Sequence, residues 1–196
     1  MFDFDTFEEK IQENLQSTDW KKRAAAIHEV AFLDLWNALD MLLPFLYDPN
    51  PNIRSAVAVD LEIIHDIRVV PHLIKFAQQE TESEPLCAAY GTLRSYIVPA
   101  VGDFLLSEAP KQHEDRCIRQ EIARQLRNYD TEQSVDVLVV LLDDEDVYVV
   151  QYAAESLLIL NRERLRPIWD ILQKKPTHPA HEYALIAKQY RTTPSR

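Results

Sequence analysis

The feature that most constrains the fold of this chain is an apolar pattern that recurs at a nearly constant spacing. Five blocks align without gaps, and the steps between their anchor residues are 31, 32, 33 and 31 residues. The anchors are Val30, Leu61, Leu93, Leu126 and Leu157. A fixed period of this length is typical of stacked helical hairpins, because each hairpin must bury its apolar face against a neighbour. The spacing therefore predicts an all-α chain of repeated hairpins.

Each block also has the pattern of an amphipathic helix. Apolar residues stand four positions before the anchor at Ala26, Val57, Ala89, Ile122 and Ala153. They stand three positions after it at Leu33, Ile64, Tyr96, Tyr129 and Leu160. Because a helix turns about 100° per residue, these offsets fall on one face. We expect that face to be buried in every repeat.

Helix starts are marked eleven residues before the anchors. The residues at this position are Asp19, Asn50, Asp115 and Asp146. Their short side chains can accept hydrogen bonds from the first helical turn, at about 1 kcal/mol each. The third block has Glu82 there, a poorer cap, and a weaker sixth copy begins at Thr177. The sixth anchor would be the polar Lys188, which suits a terminal repeat with one face toward water.

A second set of apolar segments lies between the blocks. These predict helices over Phe4–Leu15, Asp34–Tyr47, Val69–Gln79, Val98–Leu106, Glu132–Leu142 and Arg164–Lys174. Pro44 is expected to kink its helix or end it early. The order is helix, turn, helix, about six times, which predicts one domain over residues 1–196. Its repeats are expected at 1–33, 34–66, 67–97, 98–130, 131–161 and 162–191.

Three stretches share a distinctive pattern of apolar residues, namely Val69–Ala77, Asp48–Leu61 and Asp143–Leu157. They resemble HEAT repeats, especially the short bacterial type found in phycobilisome-lyase-like proteins. HEAT proteins often have arginine just after the first apolar residue of the second helix. Arg23, Arg54 and Arg119 match that position, whereas Leu86 and Val150 do not. The resemblance implies a right-handed α-α superhelix of the HEAT or armadillo type, and it leaves the partner open.

Composition excludes several function classes. Only Gly91 and Gly102 are present, which excludes a glycine-rich phosphate loop and a dinucleotide fingerprint. The net charge is −11, whereas nucleic-acid-binding proteins are usually basic because they neutralise phosphates. This charge favours a protein partner, particularly a basic one, or a cationic ligand, and simple solubility is the alternative. No apolar stretch reaches membrane-spanning length, so no membrane partner is expected.

The N-terminus and the cysteines predict a cytoplasmic protein. The segment MFDFDTFEEK is acidic and lacks the basic and apolar regions of a signal peptide. Cys87 and Cys117 are too few for a disulfide framework, so we expect both to be reduced. The oligomeric state cannot be predicted.

Candidate catalytic and metal-binding motifs fail on spacing. His28 and His181 each precede a glutamate, as in zinc-protease helices, but Phe32 and Leu185 occupy the positions of the required second histidines. The acidic run at residues 143–146 fits a helix N-terminus, where carboxylates are favoured without any catalytic role. We therefore predict no enzyme, no metal site and no cofactor.

The alternative function is that of a HEAT-like DNA-alkylation-repair glycosylase. Those enzymes carry aromatic and aspartate residues in a basic groove, and Trp20, Trp36 and Trp169 invite the comparison. The acidic charge opposes it, and no catalytic motif matches. The fourth block has a cluster of basic residues at Arg116, Arg119, Arg124 and Arg127. These arginines could bind a phosphate or form ion pairs between hairpins, and the interleaved carboxylates favour ion pairs.

The predicted binding surface is the concave face lined by the second helix of each hairpin. Positions opposite the buried stripe carry apolar and tyrosine residues among charges, which is typical of an interface core. The predicted partner-binding residues are Phe32, Val59, Ile63, Arg124, Tyr148, Tyr152, Glu155 and Ile159. Cover by a neighbouring segment is the alternative explanation. The sequence thus predicts a non-catalytic protein–protein interaction module, acting as an adaptor or as an inhibitor or immunity-type protein.

Overall fold

The computed structural model describes residues 4–33, 37–111, 113–160 and 163–192. These residues form helices joined by turns, with no strand among them. The α-helices are α1 (Phe4–Leu15), α2 (Trp20–Phe32), α3 (Ala38–Leu42), α4 (Pro51–Ile64), α5 (Val69–Gln79), α6 (Ser83–Leu93), α7 (Pro99–Glu108), α8 (Arg116–Gln125), α9 (Glu132–Leu141), α10 (Val147–Leu160), α11 (Arg166–Leu172) and α12 (His181–Thr192). The predicted all-α fold class is confirmed.

The helix caps follow the prediction closely. Asp19, Asn50 and Asp115 each accept a hydrogen bond from the amide two residues further on. Asp146 accepts from the amides two and three residues further on. Glu82 makes no side-chain cap, as expected of a longer carboxylate at this position.

Prolines determine two of the helix boundaries. α3 ends at Leu42 and continues as a 3-10 helix over Leu43–Tyr47, which agrees with the early end expected at Pro44. α12 begins at His181, four residues after the predicted cap at Thr177. Pro179 disfavours helical geometry at the residue before it, so the helix cannot start at Thr177. Asp34 lies outside the described residues.

The core contains the predicted stripe, with one correction. All five anchors are inaccessible to solvent, and so are the residues four positions before them, apart from slight exposure of Ile122. The position three after the anchor is less regular. Tyr96 is buried, but Leu33 is 43% exposed. Leu33 is the C-cap residue of α2, and its exposure contradicts the expected burial of this position in the first repeat.

The chain divides into two compact units, Met1–Val101 (unit 1) and Gly102–Arg196 (unit 2). In unit 1, α1 packs on α2, α2 on α4 and α4 on α6, so the second helices of successive hairpins pack together. In unit 2, α8 and α9 both pack on α10, and α12 packs on α10 and α11. The second helices thus form the inner contacts of each unit.

Arginines at one repeated position join successive hairpins. Arg54 donates from Nε and Nη2 to the two carboxylate oxygens of Glu80, at 2.5 and 3.1 Å. Its Nη1 donates to the carbonyl oxygens of Asp48 and Pro49, in the turn that precedes α4. The side chains of Arg54 and Glu80 are 15% and 4% exposed. This bidentate pair therefore fixes the turn before α4 to the residue that ends α5.

The same arrangement recurs twice more. Arg23 binds the carboxylate of Asp48 at 3.1 and 3.0 Å, and Arg119 binds that of Asp144 at 2.8 and 3.1 Å. In both cases Nη1 donates to the carbonyl oxygens five and six residues earlier in the chain. We call this arrangement the arginine clamp. It gives a structural reason for the arginine that the three matching blocks share.

The clamp changes the ionisation of its members. The hydrogen bond to Glu80 raises the pKa of Arg54, although burial opposes the shift. Burial alone would raise the pKa of Glu80, but hydrogen bonds from Arg54 and from the amides of Glu82 and Thr81 outweigh it and lower that pKa. The hydrogen bond to Asp144 likewise raises the pKa of Arg119. Both guanidinium groups are thus held charged.

A buried hydroxyl provides a second link between hairpins. The Thr92 hydroxyl donates to the carbonyl oxygen of Ala58 at 2.7 Å, and the Ser156 hydroxyl donates to that of Ala123 at 2.7 Å. Both hydroxyls lie one position before an anchor, and both acceptors lie three positions before the preceding anchor. The two units therefore use the same hydrogen bond between neighbouring second helices.

Candidate functional site

An exposed row of side chains runs along α10 in unit 2. Tyr148, Tyr152, Glu155 and Ile159 are spaced by four, three and four residues, which places them on one helical face. Tyr148 is 54% exposed and Ile159 is 55% exposed, while Tyr152 and Glu155 are partly exposed. The opposite face of α10 contains the buried Leu157. We call the four exposed residues the α10 row.

Arg124 of α8 holds the middle of this row in place. Its guanidinium carbon lies 4.3 Å from the centroid of the Tyr152 ring, in a cation–π contact. Its Nη2 also donates to the Tyr152 hydroxyl at 2.5 Å. The structure therefore brings together two of the predicted binding residues that are 28 positions apart in the chain.

All four arginines of the fourth block are paired with carboxylates in unit 2. Their partners are Asp146 for Arg116, Asp144 for Arg119, Glu121 for Arg124 and Glu155 for Arg127, at 3.7, 2.8, 3.6 and 3.2 Å. A phosphate ligand would have to displace these carboxylates. Of the two roles left open by the sequence, the structure shows ion pairing.

The predicted binding residues of unit 1 lie on α2 and α4. Phe32 is 63% exposed and Val59 is 49% exposed, whereas Ile63 is partly exposed. The ring of Phe32 lies against the imidazole of His28, with centroids 4.5 Å apart. Unit 1 thus has exposed apolar side chains on its second helices, but without the tyrosines of α10.

Sequence reasoning missed a buried carboxylate in unit 1. Asp60 is only 6% exposed, and its Oδ1 lies 3.1 Å from Nδ1 of His28. Burial raises the pKa of Asp60, and the hydrogen bond and charge of His28 offset part of that shift. A signal was available, because the position before the anchor is also polar and buried at Thr92 and Ser156. The recurrence of a polar residue directly before the buried anchor could therefore have indicated that Asp60 is buried.

A second missed feature is a cavity of 720 Å³ in unit 2, beside α9. It lies between α9, the start of α8, and the turns that follow α7 and α9. Sequence periodicity could not predict it, because the cavity depends on how far apart the first helices of neighbouring hairpins pack. Val140, an apolar residue of α9 that lines the cavity, is 70% exposed.

The structure also bears on the residues considered for enzymatic chemistry. Trp20 is 37% exposed, Trp169 is 4% exposed, and Trp36 lies outside the described residues. Within the described ranges, no group of three or more His, Cys, Asp or Glu side chains is arranged to hold a metal ion. In the same ranges no helix is both long and apolar enough to cross a membrane.

Comparisons with known proteins agree with the helical-repeat fold. Residues 8–94 match a family model described as HEAT repeats. The chain is similar to the crystal structure of an engineered protein, with 19% identity, a TM-score of 0.67, and coverage of 92% of this chain and 94% of that one. It also matches human deoxyhypusine hydroxylase in complex with glycerol, at 14% identity and a TM-score of 0.44 over 91% and 82% of the two chains, a likeness too weak to support any inference. No curated protein matches the chain.

Proposed function

Because residues 8–94 of this chain belong to the HEAT-repeat family, we propose that the protein is a non-catalytic protein–protein interaction module. HEAT repeats commonly bind proteins, and the observation that carries the proposal here is the α10 row. Tyr148 and Ile159 are large side chains left more than half exposed on a helix whose opposite face is fully buried. Exposed aromatic and aliphatic residues on one face are typical of interface cores.

The contact between Arg124 and Tyr152 supports the same role. Tyrosine and arginine are enriched among the residues that contribute most to binding. The stacked guanidinium and the hydrogen bond already restrict the Tyr152 ring. A side chain ordered before association loses less entropy when the partner binds. We therefore assign Tyr148, Tyr152 and Ile159 as anchors, with Arg124 and Glu155 as polar neighbours, and Phe32, Val59 and Ile63 as the contacts contributed by unit 1.

The net charge of −11 supports a basic partner. An acidic surface attracts a basic protein during diffusional encounter and raises the association rate, mostly at low salt. An adaptor and an inhibitor or immunity-type protein would both use such a surface, since each role requires specific association and no chemistry. Cytoplasmic location remains part of the proposal.

The repair-glycosylase alternative receives less support. Its groove needs free positive charge, but Arg116, Arg119, Arg124 and Arg127 are each within ion-pair distance of a carboxylate. Of the tryptophans that invited the comparison, Trp169 is buried in unit 2, whereas Trp20 is 37% exposed. Neither observation favours DNA as the ligand.

Affinity capture with purified variants tests the proposal. The immobilised parent protein is compared with a Tyr148→Ser/Ile159→Ser variant, in which both changes fall on exposed side chains outside the core. We expect the parent to retain a stoichiometric, basic protein from lysate and the variant to lose it. Tyr152 is left unchanged, because its removal would also release Arg124.

The matched control is Ile171→Ser on α11, where Ile171 is 54% exposed but lies on a different helix. It should retain the same protein at the parental level. Equal capture by all three proteins would contradict the role of the α10 row. Cleavage or base release from alkylated DNA by the purified parent would contradict the non-catalytic proposal.

A further inference from the structure

The cavity beside α9, which we call the α9 cleft, is a built site of its own in unit 2. Its volume of 720 Å³ lies within the range of about 300–1,000 Å³ typical of ligand-binding clefts. Its apolar lining is Ala109, Pro110, Ile122, Val137, Val140 and Leu141. Ile122 is buried, whereas Val140 is 70% exposed, so the apolar wall extends from the core to the surface. An apolar side chain that enters the cleft would bury its own apolar surface and that of the cleft wall.

The rim of the cleft is strongly acidic. Its carboxylates are Glu114, Asp136, Asp143, Asp144 and Glu145. Among the described lining residues Arg119 is the one arginine, so their five carboxylates and one guanidinium sum to a formal charge of −4 with histidine neutral. The Arg119 guanidinium already binds Asp144, Glu145 and two backbone carbonyls. The cleft is thus poorly suited to an anion and complementary to a cation.

A second cavity of 480 Å³ adjoins the α9 cleft. The two share Asp136 and Val137, and the second cavity continues to Asp103, Leu106 and Ser107 on α7. The combined groove therefore follows α7 and α9 over several residues. An elongated groove with an apolar wall at one end and carboxylates along it suits an extended peptide better than a compact molecule.

We propose that the α9 cleft binds a peptide segment of a partner protein that presents an aliphatic or aromatic side chain flanked by lysine or arginine. The apolar side chain enters between Val137 and Val140, and the flanking cations lie against Glu114 and Asp143 or Glu145. This site is separate from the α10 row, because none of the residues of that row line the cleft. It therefore does not depend on the proposed function.

Selection from a random seven-residue peptide library displayed on phage tests the proposal with the full chain as target. We expect enriched sequences to contain an apolar residue next to lysine or arginine. Synthetic peptides made from the enriched sequences are then titrated against the parent and its variants by fluorescence anisotropy. Their affinity should fall as ionic strength rises, because exposed charges on the rim are screened.

Two variants locate the binding. Val140→Ser removes the exposed apolar wall and should weaken binding about ten-fold, as expected when a central contact residue is truncated. The triple variant Glu114→Gln/Asp143→Asn/Glu145→Gln should weaken binding and flatten its salt dependence. Asp144 is kept, since it belongs to the arginine clamp of Arg119. Thermal melts followed by circular dichroism check that both variants fold.

The control is Tyr148→Ser/Ile159→Ser, which should bind the selected peptides as tightly as the parent. This control separates the two proposals, because loss of the α10 row removes the captured partner and leaves the peptides bound. The proposal is overturned if the library gives no enrichment, if enriched sequences lack basic residues, or if Val140→Ser binds them as tightly as the parent.

Discussion

Unit 1 and unit 2 are built with the same links between hairpins but present different surfaces. The arginine clamp occurs in unit 1 at Arg23 and Arg54 and in unit 2 at Arg119. The hydroxyl link occurs in both units, at Thr92 in unit 1 and at Ser156 in unit 2. Yet the family match ends at residue 94, within unit 1. The contacts that join successive hairpins thus also occur in unit 2, which the family model does not match.

The two units differ in the surfaces that they expose to solvent. The α10 row and the α9 cleft both belong to unit 2, whereas unit 1 exposes Phe32 and Val59 on its second helices. Residues that join hairpins are constrained by packing in every repeat, while residues facing solvent are free to differ. The two units therefore share the contacts that join hairpins and differ in the side chains that they expose to solvent.

The largest expected effect is loss of an arginine clamp. Arg54→Met should lower the free energy of unfolding by about 2–3 kcal/mol, because Glu80 would remain buried without its charged partner. Arg119→Met should cause a loss of similar size in unit 2. Urea unfolding followed by circular dichroism measures both.

Arg68→Met is the control for the clamp, since Arg68 pairs with Asp66 on the surface with 64% of its side chain exposed. Its effect should be much smaller, and equal losses for Arg54 and Arg68 would contradict a special role for the clamp.

Hydrogen exchange of Arg54→Met also tests the predicted single domain. We expect faster exchange in both units if the chain unfolds as one domain, and in residues 1–101 alone if it does not.

The two glycines should respond to alanine with opposite signs. A Cβ at Gly102 would lie 2.6 Å from Cδ1 of the Tyr129 ring, so Gly102→Ala should destabilise unit 2 by about 1–3 kcal/mol. A Cβ at Gly91 meets no atom within 4 Å, and Gly91 lies inside α6. Gly91→Ala should therefore stabilise unit 1 by about 1 kcal/mol through helix propensity. Thermal melts of both variants check this, and effects of the same sign would be inconsistent with the packing described.

The hydroxyl links should contribute equally in the two units. Thr92→Val and Ser156→Ala each remove one buried donor to a backbone carbonyl and should cost about 1 kcal/mol. Denaturant titrations of the two single variants compare them directly. If only one variant lowers the free energy of unfolding, the two hydrogen bonds do not contribute equally to stability despite their equal geometry.

The smallest effect concerns pH in unit 1. Burial raises the pKa of Asp60 above its ordinary value of 3.8. Between that value and the higher pKa of the native state, the native state therefore binds more protons than the unfolded chain. Stability contributed by this group therefore falls as pH rises through that window. Asp60→Asn keeps an acceptor for His28 and removes the titration, so the variant should gain stability relative to the parent as pH rises above 3.8. A constant difference across that range would contradict the assignment.

Periodicity predicted the elements well because it reports burial within one helix. The bounds of α1 and α5 agree with the apolar pattern to the residue. The same pattern identified Arg119 as a repeat position but could not identify Asp144 as its partner, because that pairing depends on how two hairpins stack. The α9 cleft and the buried Asp60 depend on the same spatial information. Proline displaced the start of α12 because a residue preceding proline resists helical geometry, which the alignment of blocks did not take into account.

Site-specific photocrosslinking tests the proposed binding surface most directly. A photoreactive phenylalanine analogue is placed at Tyr148 in unit 2, at Val59 in unit 1 and at Ile171 as an exposed control, and the chain is irradiated in cells that express its partner. We expect one basic protein to crosslink at Tyr148 and Val59 and not at Ile171. Crosslinking at Ile171 as strong as at Tyr148, or no crosslink at Tyr148, would contradict an interaction module that binds through these second helices.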